Sequence, residues 1–123
     1  MTTLDRVMSG SIVTVAPTTS VAEAATVMST RHVGSVLVLE GDRLVGIFTE
    51  RDIVRALATD FDAASEPVRS WMTPGPRTLA PSASADEALD LMLEHGFRHV
   101  PVLDGERVVG VVSMRDLTAR ARG

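Results

Sequence analysis

The chain has 123 residues, 45% apolar and 23% charged, with twelve basic against sixteen acidic residues and no cysteine. That length suits one ordinary hydrophobic core, and the missing cysteine excludes disulfides, a thiolate nucleophile and Cys-ligated metal sites. A formal charge of −4 argues against a nucleic-acid binder with a broad basic face.

No apolar run approaches the ~20 residues that span a bilayer. The opening MTTLDRVMSG also lacks a basic-then-apolar leader pattern. A cytoplasmic protein with no membrane and no nucleic-acid partner is expected. All twelve basic residues are arginine, whose planar fork suits carboxylates and phosphates. Aromatics are few (Phe48, Phe61, Trp71, Phe97), which disfavours a base-stacking strand binder.

In chain order, a short extended piece at Ile12–Val15 passes Pro17 and reaches Ser20. From there Val21, Ala24, Ala25 and Met28 recur at spacings of three and four, the period of a helix. A β-rich run follows at Val36–Leu39, then a turn at Glu40-Gly41-Asp42 and a second run at Leu44–Phe48, which together predict an antiparallel hairpin. The next helix is predicted from Glu50 to Ala58, with Ile53, Val54 and Leu57 as its apolar face. Thr59–Ser70 has turn-former composition and reads as a linker, with Trp71 after it as a possible anchor between halves or at a dimer face.

Beyond the linker the same order returns. Thr14 to Arg55 matches Thr78 to Ala119 without a gap, with sixteen identities. Thr14-Val15-Ala16-Pro17 becomes Thr78-Leu79-Ala80-Pro81, and Val45-Gly46 becomes Val109-Gly110. A helix near Asp86–Glu94, strands at Val100–Leu103 and Val108–Val112, and a helix from Met114 are therefore predicted. The chain divides as repeat 1 at 1–58, a linker at 59–70 and repeat 2 at 71–123. Neither repeat's sheet can bury its apolar face alone, so the two are expected to pack as a pseudo-twofold pair.

Four helix starts place an acid three residues after a hydroxyl: Ser20 with Glu23, Thr49 with Asp52, Ser84 with Glu87, and Ser113 with Asp116. This is a capping-box pattern. At Thr49…Asp52 and Ser113…Asp116 a strand also feeds a helix N-terminus, an end that favours anions. There the hydroxyl can bond a phosphate or sugar, and the carboxylate can accept from a pair of ribose hydroxyls. Gly46 and Gly110, lacking a side chain within a strand, admit something flat against the backbone. The same residues are equally those of a well-capped helix with glycines that relieve packing, and spacing alone leaves both readings open.

His32, His95 and His99 have no acid at metal-binding spacing, and the first two end helices, where a cation suits the dipole. Ser113, His99 and Asp116 make a triad only on paper, since no nucleophile elbow surrounds the serine. Neither a metal site nor catalysis is expected.

Taken together, these segments resemble a tandem pair of CBS domains, or Bateman module, over about Val7–Leu57 and Trp71–Ala119. The markers are Met8 and Met72, the two Thr-x-Ala-Pro segments, His99-Val100-Pro101-Val102, and the Gly-x-x-[Thr/Ser]-x-x-Asp segments. The resemblance implies an α/β (α+β) fold of two β-α-β-β-α repeats packed through their sheets. It also implies a non-catalytic sensor with no obligatory cofactor. Two clefts would bind AMP, ADP, ATP or S-adenosylmethionine, and the module would pair as a homodimer and act on an effector protein.

Carried over residue by residue, Asp52 and Asp116 would hold ribose, and Thr49 and Ser113 ribose or phosphate. The backbone at Thr14–Pro17 and Thr78–Pro81 would frame adenine. One site would join Thr49 and Asp52 with Thr78, Arg98 and His99. The other would join Ser113 and Asp116 with Thr14 and the Gly34-Ser35 corner. Arg98 with His99 makes a phosphate clamp where the first copy has only Ser35, so the Asp52 site is expected to prefer phosphorylated adenosine and the Asp116 site to be weaker, empty or filled by a less charged ligand. The competing expectation is a ligand-independent dimerisation or protein-interaction module whose clefts are vestigial.

Overall fold

Valine and isoleucine stack well on a pleated surface, and each unit is built on one Val-rich hairpin. The computed structural model describes residues 1–122, with side chains described through 119. The chain forms two compact units. One is Val13–Pro76; the other combines Met1–Ile12 with the chain from Arg77 onward.

In the first unit β1 (Thr14–Val15) leads to α1 (Val21–Arg31), β2 (Ser35–Glu40), β3 (Arg43–Thr49), α2 (Glu50–Thr59) and β4 (Thr73–Pro74). The sheet order is β1-β2-β3-β4. β1 runs parallel to β2, and β3 lies antiparallel to both β2 and β4. The hairpin turns at Gly41, whose φ of 64° lies where a side chain is unfavourable. A core of Val13, Val21, Ala24, Met28, Val36, Val38, Phe48 and Val68 lies between the sheet and the helices. Burying a side chain such as Phe48 contributes roughly 1.5–3 kcal/mol.

The second unit repeats this order with α3 (Ala85–His95), β5 (His99–Asp104), β6 (Arg107–Ser113) and α4 (Met114–Arg122). Both hairpins carry a register shift at the same place, between Val38 and Leu39 and between Val102 and Leu103. Here only the hairpin forms a continuous sheet, and the flanking strands shrink to single bridges, Leu79 to Val102 and Ser9 to Val111. One cause is covalent. Leu37 donates its N–H to Val13 O at 3.0 Å, but its counterpart is Pro101, which has no N–H to give.

The repeats and the compact units are cut at different places. Residues 59–70, expected to be a linker, are folded into the first unit. They form two 3₁₀ turns, Ala63–Ser65 and Val68–Ser70, with Ala63 and Val68 fully buried. Val68 N–H donates to Thr19 O at 2.7 Å, and Val21 N–H donates to Glu66 O at 2.9 Å. Apolar side chains at these positions override the turn-like composition around them. Leu4 occupies the matching place in the second unit, fully buried, with its N–H on Ala83 O at 2.9 Å. Residues 1–12, sequentially part of repeat 1, thus complete the unit built on repeat 2.

The two glycines expected to admit a flat ligand are instead covered by methionines. A Cβ on Gly46 would overlap Met72 Sδ and lie 3.1 Å from Thr73 O. On Gly110 it would overlap Met8 Sδ and lie 2.9 Å from Ser9 O. The packing reading of these glycines is the one realised.

A second correction concerns α2. Its expected inward face was Ile53, Val54 and Leu57; Ile53 does pack, partly buried, against the core, but Val54 is 68% and Leu57 49% exposed. Asp52 and Ala56 point inward instead. Asp52 is bonded back to Thr49 at the helix start, and with Asp52 and Ala56 inward, Ile53 lies at the edge of the core while Val54 and Leu57 face out. The end of α1 also differs from a simple dipole contact. His32 is its C-cap in the left-handed region (φ 55°), where the second copy has Gly96 (φ 78°). Among the described residues no helix is long and apolar enough to cross a membrane.

Replacing Gly46 with Ala will destabilise the protein by ~1–3 kcal/mol, as overpacking does. Adding Met72→Ala will recover part of that loss. Urea denaturation of the single and double variants measures both, and a neutral Gly46→Ala would show that Met72 does not pack there.

Candidate functional site

Each unit has one strand-to-helix corner, where an extended chain ends on a hydroxyl residue and turns directly into a helix. At the first, Thr49 is the N-cap of α2 and the capping box is complete. Asp52 N–H donates to Thr49 Oγ1 (3.3 Å), and Thr49 N–H donates to Asp52 Oδ2 (2.9 Å). Ser113 and Asp116 repeat this, with Asp116 N–H on Ser113 Oγ at 3.1 Å and Ser113 N–H on Asp116 Oδ2 at 2.8 Å.

Ser20 and Ser84 also cap their helices by accepting from Glu23 and Glu87 N–H, both at 3.0 Å. The two corners built on aspartate are the ones that close reciprocally.

The corners use most of their own helix-end donors. Glu50 N–H donates to Gly34 O at 3.1 Å, and Met114 N–H donates to Arg98 O at 2.8 Å. With the Asp52 and Asp116 amides already bonded, less of the anion-binding capacity expected of a bare helix end remains. The chemistry left over is that of carboxylate and hydroxyl oxygens.

The structure distributes the nine candidate residues by unit. In the first, Ser35 lies directly across the hairpin from Thr49; Ser35 and Asp52 are buried, and Thr49 is half-buried. Thr14 is exposed on β1, paired with Leu37 two residues along from Ser35. In the second, His99 lies across from Ser113, and both are half-buried with Asp116. Arg98 and Thr78 are exposed, Arg98 just before β5 and Thr78 just before the Leu79 bridge. The expected partnership of Asp52 with Thr78, Arg98 and His99 joins residues that belong to different units.

The two carboxylates are not equivalent. Asp52 Oδ2 also accepts from the Thr49 hydroxyl (3.1 Å), and its Oδ1 accepts from Arg55 Nη2 at 3.4 Å. The same Arg55 nitrogen donates to Trp71 O at 2.6 Å, and the guanidinium carbon lies 5.4 Å from the Trp71 ring centroid, in cation–π range. Trp71 Nε1 in turn donates to Glu66 Oε1 at 3.3 Å. Trp71, foreseen as an anchor, is therefore packed within the first unit. Arg55 and Glu66 were not foreseen. The available signal was the comparison of copies, since the repeat places Ala119 where Arg55 stands.

Glu66 and Asp60 share a proton-sensitive contact. Its hydrogen bond to Asp60 holds the Glu66 carboxyl above the usual range, while the same bond lowers Asp60. A raised folded-state value means that the Glu66 contribution is fully present below the ordinary glutamate range and is lost as pH rises through the raised value. The lowered Asp60 works oppositely: its contribution is present above the ordinary aspartate range and is lost as pH falls through the lowered value. Glu66→Gln, which keeps a donor for Asp60 at every pH, will raise the melting temperature at pH 7 and lose that advantage in the acid range where Glu66 itself is protonated. Melts from pH 4 to 7 measure this; an advantage independent of pH would contradict the shared proton.

Comparison with known proteins bears on both corners. The sequence profile of the CBS domain matches residues 4–59 and again 68–123. The chain is 38% identical, over 98% of its own length and 73% of the relative's, to an uncharacterized 17.7 kDa protein of Acidianus ambivalens. Among solved structures it is similar to the CBS-domain containing protein ATU1752 from Agrobacterium tumefaciens, with TM-score 0.90 and 31% identity, covering 99% of this chain and 100% of that one. It is also similar to the CBS domain pair of protein MJ0100 in complex with 5-methylthioadenosine and S-adenosyl-L-methionine. There the TM-score is 0.92 and the identity 26%, covering 100% of this chain and 98% of the other.

Proposed function

The chain belongs to the CBS-domain family, and from that membership we propose that it is a non-catalytic regulatory module that binds an adenosine-type ligand at its strand-to-helix corners. Asp52 and Asp116 accept from ribose hydroxyls, and Thr49 and Ser113 bond ribose or phosphate. Arg98 supplies a cationic fork and His99 a further donor for phosphate, Ser35 supplies a hydroxyl, and the backbone at Thr14 and Thr78 lies beside the adenine. The ligand class is AMP, ADP, ATP or S-adenosylmethionine. The occupied protein acts through a second copy of itself and an effector protein.

One observation carries this reading. Each unit places a hydroxyl and a carboxylate at the same corner, on the matching residues of its own copy. The MJ0100 pair, similar over the whole chain, holds two adenosine derivatives, which supports the ligand class. A ligand that binds only the folded state stabilises it by roughly 2.7 kcal/mol at a hundredfold excess over its Kd. For a chain of this size that raises the melting temperature by several degrees. Melts against AMP, ADP, ATP and S-adenosylmethionine are expected to show such a rise with at least one of them, and no rise with any would defeat the proposal.

A second reading, an interaction module that works without ligand, is favoured by the outward apolar surface of Val54, Leu57 and Phe61, the last 96% exposed just beyond α2. Exposed apolar groups of this size suit a protein contact. On that reading, Leu57→Asp with Phe61→Asp will lower the sedimenting mass without lowering the melting temperature. An unchanged mass would remove its support.

A further inference from the structure

We propose that Arg55 withholds Asp52 from ligand, so that an adenosine ligand enters the Asp116 corner first; this rests on the reading that these aspartates accept from ribose. The argument begins with acceptor capacity. A ribose diol needs carboxylate oxygens that can take its two O–H donors. Asp52 already accepts Thr49 N–H and Thr49 O–H on Oδ2 and Arg55 on Oδ1, and it is only 6% exposed.

Arg55 is held in place at two further points, the Trp71 carbonyl and the Trp71 ring. A diol arriving at Asp52 must separate the guanidinium from the carboxylate while those other contacts still hold it nearby.

The second copy cannot build this clamp from the matching positions. Ala119 stands in the place of Arg55, Val7 in the place of Trp71, and Thr2 in the place of Glu66. Asp116 is half-buried rather than buried. Among the described residues, the only bond on its carboxylate is that from Ser113 N–H, and no described cation pairs with it. The Ser113 hydroxyl accepts from Asp116 N–H and, unlike that of Thr49, does not donate to its own aspartate. Among the described residues, donor and acceptor capacity both remain on Ser113 and Asp116. This ordering is the reverse of the one expected from Arg98 and His99, because it is set at the carboxylate rather than at the phosphate end.

Trp71 is the sole tryptophan and part of the clamp, so its emission reports whether Arg55 is displaced. Titration of the full chain with adenosine, and separately with AMP, is followed by calorimetry and by Trp71 fluorescence. The tightest event is expected to leave the emission unchanged and to be lost in Asp116→Asn, a variant whose side-chain oxygen can still cap the helix.

Arg55→Ala is expected to tighten the second event about fivefold for both ligands, the scale of a partly exposed ion pair, and Asp52→Asn to remove that second event. A tightest event that alters Trp71 emission and disappears in Asp52→Asn would overturn the proposal. So would an Arg55→Ala variant that binds AMP more weakly while adenosine is unaffected, since Arg55 would then be a phosphate ligand. Failure of the parent chain and Arg55→Ala to bind either ligand would instead remove the nucleotide reading, and this ordering with it.

Discussion

A helix that starts at the end of a strand has amide donors with no partner of their own, and the reciprocal bond between an N-cap hydroxyl and the aspartate three residues on is how this protein supplies two of them. Much else follows from that bond. It holds Asp52, which lies inward with Ala56, while Val54 and Leu57 face out. It brings a carboxylate to the same point in both units. On the proposed reading, structural capping and ligand recognition are successive uses of one arrangement: the cap holds one carboxylate oxygen, and the other is left to receive a diol.

The second organising feature is the exchange of leading segments. Val68 is a core residue of the first unit and Leu4 of the second, although each precedes the other repeat in sequence. The methionines that follow seat their sulfur atoms over Gly46 and Gly110, and short backbone pairings fasten the segments beside β3 and β6. A unit of about sixty residues has little core to spare. Borrowing a buried side chain and an extra edge pairing from the neighbouring repeat enlarges that core while binding the two halves of the chain into one folding problem.

Duplication also makes each copy a control for the other. Where the copies agree, as in the hairpin register shifts and the aspartate caps, the fold itself requires the feature. Where they differ, the cause can be assigned to a residue. Pro101 removes a donor and trims a strand to a bridge. His32 bears a side chain in the backbone conformation for which the other copy has glycine. Arg55 closes over a carboxylate that the other copy leaves half-buried.

The repeat, its hairpins, its four capped helix starts and both aspartate corners were legible in the sequence, because they depend on contacts within a few residues or on alternation along a strand. The hairpin strands, α2 and α3 match the expected limits to within a residue at either end, whereas β1 starts two residues later than expected and β4 was not expected. Other features arose from contacts between segments distant in the chain. Composition could not distinguish a linker from a segment whose two apolar residues are buried. Periodicity found the apolar residues of α2 but placed only Ile53 correctly against the core, since with Asp52 and Ala56 inward Val54 and Leu57 face out. The glycines marked a close approach, but only the folded chain showed methionine making it. The guanidinium over Asp52 depends on Trp71, sixteen residues away, and no local pattern announces such a meeting. The sequence by itself determined the repeated elements and their chemical inventory; tertiary packing decided which groups are buried, covered or left available to a ligand.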